Sequence, residues 1–136
     1  MNHLKVNSEY NHTKTNNHYQ VLILSNSPKI PQVVYVNEQG DVWSKGTERF
    51  LKGMEFLHEV STHFTQKLIP SDLPQKDEFY YNTQTEQTQK ASPAAYVLYV
   101  TNLAANEEDY PVTVFFLSDG IIDYLPLNLF KEKYTK

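Results

Sequence analysis

The sequence predicts a mainly β fold of the α+β class, with two small β meander units related by an internal repeat and one helix after the first unit. The repeat is the first observation, because a shift of 80 residues carries four anchor positions onto identical residues. These anchors are Pro31, Val34, Gly40 and Phe50 in the first copy and Pro111, Val114, Gly120 and Phe130 in the second. Short β-branched and aromatic runs between Gly, Pro and Asn are the second observation, and they are typical of strands and turns.

Both copies share one order of predicted elements: strand, loop, strand, turn, strand. The first copy has strands at residues 19–24, 32–36 and 41–44, and the second has them at residues 96–101, 112–117 and 121–125. A shift of 77 residues aligns the first strand of each copy, which matches Val21 with Leu98. After its third strand, each copy ends in a segment that closes with Phe and suits one short helical turn.

The segment after the first copy has two interpretations. Hydrophobic residues recur at helical spacing from Phe50 to Leu68, which favours a helix over residues 50–68. The alternative is a strand, because Phe56, Val60 and Phe64 also lie on one face of an extended chain.

The predicted domain boundaries place a first β unit with its helix at residues 1–69, a polar linker at 70–93 and a second β unit at 94–136. Residues 1–17 are polar and are expected to be a loosely held lead-in. Pro, Gln and Thr dominate the linker. Because each unit is too small for an ample core of its own, we expect the two units to pack together.

Composition excludes several classes of function. The chain has no Cys, which removes disulfides and thiolate chemistry, and its 12 basic side chains against 16 acidic ones form no cluster that would indicate nucleic-acid binding. No apolar run is long enough for a signal peptide or a membrane span, so a cytoplasmic protein is expected. Glycine-rich phosphate loops are missing, and no cofactor is predicted.

The first copy resembles a family of small bacterial domains of unknown function with an SH3-like barrel fold. The shared pattern joins a Tyr-His-Lys lead-in to a Val-Val-Tyr strand, a Trp strand and a closing Phe. In this chain the pattern corresponds to Tyr10, His12, Lys14, Val33, Val34, Tyr35, Trp43 and Phe50. The resemblance covers residues 10–50 only and implies an SH3-like small barrel for the first unit. The internal repeat extends this expectation to the second unit, and the resemblance implies no known reaction.

Catalytic and metal-binding patterns are weak. His58 and His63 are five residues apart, so neither a helix nor a strand places both on one face, and no metal site is predicted. Ser118 is interpreted as a turn residue. A small hydrolase using Asp119, Asp123 or His58 is kept as an alternative, but no catalytic residue is assigned.

A non-enzymatic module that binds another protein is therefore the expected function. An inhibitor of a host defence complex, from a phage or mobile element, is a narrower alternative, and a homodimer is a further partner that the sequence allows. Tyrosine and tryptophan suit protein interfaces, and loops that differ between the copies are good places for binding residues. The predicted partner-binding residues are Trp43, Tyr80, Tyr81, Glu107, Glu108, Asp109 and Tyr124.

Overall fold

A computed structural model describes residues 4–61, 63–82, 95–101 and 112–136. The chain divides into two compact units, Met1–Leu68 and Ile69–Lys136. In the described residues each unit has one five-stranded antiparallel sheet and one short helix. The prediction of a mainly β protein with two β units is confirmed.

The first unit is a meander closed by a strand that follows a short helix. Its elements are β1 Glu9–His12, β2 His18–Leu24, β3 Gln32–Asn37, β4 Val42–Gly46, α1 Thr47–Gly53 and β5 Met54–His58. Its sheet has the order β4-β3-β2-β1-β5, so that β1 pairs with both β2 and β5.

The second unit repeats this topology element by element. Its elements are β6 Phe79–Asn82, β7 Ala95–Val100, β8 Thr113–Ser118, β9 Ile121–Pro126, α2 Leu127–Lys133 and β10 Tyr134–Thr135. Its sheet has the order β10-β6-β7-β8-β9, which is the order of the first sheet viewed from its other end.

Local hydrogen bonds recur between the copies even where the residue types differ. Ser25 donates its backbone N–H to the Gln32 carbonyl at 2.9 Å, and Thr101 makes the same bond to Thr113 at 3.0 Å. In return, the backbone N–H of Gln32 and that of Thr113 each donate to the hydroxyl of their partner at 2.8 Å. A hydroxyl side chain therefore closes the same loop in both units.

Both copies also carry a β-bulge at one position of the second strand. The register shifts between Val21 and Ile23 in the first unit and between Val97 and Tyr99 in the second. The bulge shows that Val21 corresponds to Val97. The predicted match of Val21 with Leu98 is therefore wrong by one residue.

The strands β3 and β8 are also displaced by one residue from the ungapped alignment, which has a shift of 80 residues. Gln32 lies opposite Gly46 in the first unit, whereas Thr113 lies opposite Pro126 in the second. The turn that follows this strand causes the displacement. In the second unit it is a two-residue hairpin turn of Asp119 and Gly120, which both have the positive φ that such a turn requires. The corresponding turn of the first unit is one residue longer. Because side chains alternate, this slip decides which of them face the core.

An aromatic pair lies at the centre of each core. Tyr10 meets Phe50 edge to face at a centroid distance of 5.2 Å, and Tyr80 meets Phe130 in the same way at 5.5 Å. Both phenylalanines come from the short helices and are almost fully buried. Such pairs contribute about 0.5–1.5 kcal/mol beyond the burial of their area.

The structure differs from the predicted elements at three places. The helix over residues 50–68 is wrong, because α1 ends at Gly53 and the chain continues as β5, which pairs with β1; the alternative strand is correct for residues 54–58. The predicted lead-in contains β1, and the predicted linker contains β6. Each of these two strands carries the core tyrosine of its unit. Burial of that tyrosine ring stabilises the strand, although the neighbouring sequence is polar. Residues 83–93 of the predicted linker lie outside the described part of the chain.

Truncation of either core phenylalanine is expected to destabilise the unit that contains it. We expect Phe50→Ala and Phe130→Ala each to cost about 3–5 kcal/mol, because a large cavity replaces a buried ring. Hydrogen exchange measured at individual amides separates the effects on the two units. Leu129→Ala is a matched control beside Phe130, because Leu129 is 44% exposed, and a loss there as large as that of Phe130→Ala would contradict this account of the core.

Candidate functional site

The two sheets differ most on the face turned away from the core, which we call the outer face. In the first unit, cross-strand pairing aligns Glu9, Gln20, Val36 and Val42 across four strands of this face. We call these residues the first row. All four are buried, with exposed fractions between 0% and 8%. Something therefore covers the outer face of the first unit.

The cover is an extended segment that follows β5, which we call the strap and define as Ser61 and residues 63–67. At one end Ser61 donates its backbone N–H to the Asn7 carbonyl at 2.8 Å, and its own carbonyl accepts from the Gln20 amide at 2.6 Å. At the other end Lys67 donates its backbone N–H to the Gly40 carbonyl at 2.9 Å. The strap therefore crosses from the entrance of β1 to the turn between β3 and β4.

Charged side chains reinforce both ends of the strap. The Glu9 carboxylate lies 3.9 Å from Nδ1 of His63 and 2.9 Å from Nδ1 of His18. Lys67 Nζ lies 2.7 Å from the Asp41 carboxylate. Since a buried carboxylate is costly without partners, this arrangement couples the burial of Glu9 to the presence of the histidines.

The corresponding residues of the second unit form an apolar row. Cross-strand pairing aligns Phe79, Tyr96, Leu117 and Ile122, which we call the second row. Phe79 is 48% exposed and Leu117 is 39% exposed. Tyr96 and Ile122 are half-buried, so the second row is exposed at Phe79 and Leu117, where the matching residues of the first unit are buried.

The polar anchors of the strap have apolar or aromatic counterparts in the second unit. Phe79 stands in place of Glu9, Tyr96 in place of Gln20, and Ile121, which is 38% exposed, in place of Asp41. The rings of Phe79 and Tyr96 contact each other at a centroid distance of 4.8 Å. The two faces therefore differ in chemistry at these positions, whereas their strands pair in the same order.

The two turn glycines differ in what lies next to them in the described residues. A Cβ atom on Gly40 would lie only 2.9 Å from the Thr65 carbonyl oxygen of the strap. Among the described residues, a Cβ on Gly120 would meet no heavy atom within 4 Å. Both glycines have positive φ, although the turn of the first unit is one residue longer.

A second aromatic line lies beside the second row on the same face. Tyr99, Phe115 and Tyr124 are cross-strand neighbours, and the rings of Phe115 and Tyr124 are 5.4 Å apart. Lys76 places its ammonium 4.1 Å above the centre of the Tyr99 ring. Phe115 is fully buried, so this part of the outer face is covered while Phe79 and Leu117 beside it are exposed.

The predicted partner-binding residues fall in different environments. Tyr124 belongs to the outer face just described, and Tyr81 is half-buried in β6 opposite Thr135. Tyr80 lies in the core, where its hydroxyl accepts the backbone N–H of Gln75 at 3.2 Å.

Trp43 is half-buried against the core of the first unit. Glu107, Glu108 and Asp109 lie outside the described residues, and the binding role of all these residues stays a prediction.

Sequence reasoning missed Tyr96, Leu117 and Ile121 as candidate binding residues. The signal is a change from polar or buried residues in the first copy to exposed apolar residues in the second at equivalent positions. This signal is visible only in the correct register, and the ungapped alignment matches Val36 with Phe116 instead of Leu117.

The residues considered for catalysis or metal binding have structural roles where they are described. Asp123 accepts the backbone N–H of Tyr124 at 2.8 Å, and Asp119 is a left-handed turn residue. His58 lies opposite Glu9 in the pairing of β5 with β1. Within the described ranges no group of three or more His, Asp or Glu residues has a geometry that could hold a metal ion.

Comparison with protein-family models, with curated proteins and with solved structures finds no match to this chain. The resemblance to small SH3-like bacterial domains therefore stays a prediction. Neither helix of the described chain has the length and apolar character that crossing a membrane would require. Support for a function comes from the two outer faces.

Substitution of the two turn glycines is expected to have unequal effects. Gly120→Ala should cost about 1–2 kcal/mol, the penalty of a left-handed backbone for an L-residue. Gly40→Ala should cost more, because its Cβ also collides with the strap. Urea unfolding followed by amide NMR signals of each unit gives both values, and equal losses would contradict the placement of the strap.

The tyrosine of the second row has a perturbed titration. A hydrogen bond from the Tyr96 hydroxyl to Asp77, at 2.9 Å, raises the pKa of Tyr96 above its ordinary value, and desolvation and the Asp77 charge act in the same direction. Because the pKa is raised in the folded protein, the stabilisation is present below the unfolded pKa and is lost as pH rises through the folded one.

We therefore expect Asp77→Asn to lower the pKa of Tyr96 toward that of a free tyrosine. An NMR titration of the ring carbons measures the change, and Tyr96→Phe identifies the signal. Asn suits the left-handed backbone at position 77, where φ is 68°, so this variant changes charge with little strain. An unchanged Tyr96 titration in Asp77→Asn would refute the assigned cause.

Proposed function

We propose that the protein is a non-enzymatic binding module for another protein and that it binds with the outer face of the second unit. The observation that carries this proposal is the exposure of an apolar row whose equivalent in the first unit is covered. Exposed apolar patches on small proteins mark interaction sites more often than scattered single residues do.

The composition of this face supports a protein partner. Tyr and Phe provide large contact areas at low conformational cost, and such residues dominate the centres of protein interfaces. Phe79, Tyr96 and Leu117 are direct neighbours across three strands, so they form one continuous surface. The neighbouring Tyr124, predicted from the sequence to bind a partner, extends this surface across β9.

An SH3-like origin of both units is part of the same proposal. In each unit the strand after the helix lies beside the first strand, and this arrangement closes the meander in the way that a small barrel requires. The Tyr, Val-Val-Tyr, Trp and Phe positions that carry the family resemblance all lie in the strands and helix of the first unit.

The binding surface can be tested by capture of partners followed by mapping with a purified complex. We expect Leu117→Glu to abolish capture of a partner that the wild-type chain retains, because the charge would be desolvated in the interface without a counterion. Ile30→Glu is the matched control, since Ile30 is 72% exposed in the first unit.

Hydrogen exchange of the purified complex then locates the footprint. Protection of residues 79–82, 96 and 117–122 is the expected result. A partner that Leu117→Glu retains in full, or a footprint confined to the first unit, would refute the proposed surface.

A further inference from the structure

We infer that the outer face of the second unit binds an extended peptide segment, which crosses its strands as the strap crosses those of the first unit and carries apolar side chains four residues apart. This inference rests on the proposed function and names the chemical class of the partner. Its basis is the repeat itself, since one copy of the face is seen with its occupant in place.

The spacing follows from the geometry of the strap. His63 reaches Glu9 at one end of the first row, and Lys67 reaches Asp41 at the other. Four extended residues span about 13–14 Å, and three spacings between neighbouring strands give about 14–15 Å. A segment of this length therefore places side chains i and i+4 at the two ends of the row.

The backbone of the second unit offers the same two end points. Asn7, whose carbonyl binds the start of the strap, corresponds to Asp77, and both have positive φ and donate their N–H groups to equivalent valines, Val21 and Val97. Gly40, whose carbonyl binds the end of the strap, corresponds to Gly120. Two backbone carbonyls are thus placed to accept N–H groups of an extended peptide, as in the first unit.

The side chains at these end points determine the chemistry of the peptide. Glu9 and Asp41 select the cationic or protonatable side chains His63 and Lys67 in the first unit. Phe79 and Ile121 take those places in the second unit, with 48% and 38% of their surfaces exposed. A charged side chain would be desolvated there without a partner, so aliphatic or aromatic side chains are the ones selected.

A labelled peptide with the sequence of residues 59–67, carrying His63→Leu and Lys67→Leu, tests this inference directly. We expect the full-length chain to bind it at least about tenfold more tightly than the unmodified peptide, as measured by fluorescence anisotropy. Leu117→Glu should weaken binding by a similar factor, whereas Ile30→Glu should leave it unchanged.

A reciprocal variant distinguishes recognition from nonspecific apolar binding. Phe79→Glu combined with Ile121→Asp gives the second unit the anchors of the first. We expect this variant to prefer the unmodified peptide, with its His and Lys, over the leucine peptide. Circular dichroism and amide NMR spectra of each variant establish that it is folded before binding is compared.

Four results would overturn the inference. Two concern specificity: equal binding of the leucine and unmodified peptides by the wild-type chain, and retention of the wild-type preference by the double variant. The third is sedimentation of the wild-type chain as a dimer that Leu117→Glu dissociates, with no peptide bound, which would assign the face to a second copy. If a captured partner protein depends on Leu117 but neither peptide binds, this inference fails while the proposed function stands.

Discussion

The first strand of each unit is the constraint on which the rest of the structure depends. It pairs on one side with the second strand and on the other with the strand that follows the helix, so it joins the two ends of the unit into one sheet. Its central tyrosine, Tyr10 or Tyr80, contacts the phenylalanine of the helix. The same short strand therefore positions the edge of the sheet, the helix and the core, and the left-handed residue before it, Asn7 or Asp77, sets the direction in which it enters.

Much of the architecture is readable from the sequence because the central strands are rich in β-branched and aromatic residues. The predicted strands at 19–24, 32–36, 112–117 and 121–125 agree with β2, β3, β8 and β9 to within one or two residues. By contrast, β1 and β6 are four-residue strands in polar surroundings. Their stability comes from pairing and from one buried ring each, which local propensity does not report.

The two copies differ in length at one hairpin, and this difference displaces the ungapped alignment. Gly40 and Phe50 match Gly120 and Phe130 correctly, but the hairpin between them and the preceding strand has lost one residue. With a side-chain period of two, that single residue exchanges the inner and outer faces of the predicted match. The candidate site lies on the outer face. A one-residue error in the match therefore pairs its residues with core residues of the other copy, and the exposed apolar positions are not recognised.

The strap gives the first unit a property that its fold alone would not have. A segment tethered directly after β5 experiences an effective concentration that, for short flexible connections, reaches the millimolar range. Free competitors at lower concentrations cannot displace it unless they bind much more tightly. In the described residues, the first unit thus has an outer face that its own chain covers, whereas Phe79 and Leu117 on the matching face of the second unit are exposed.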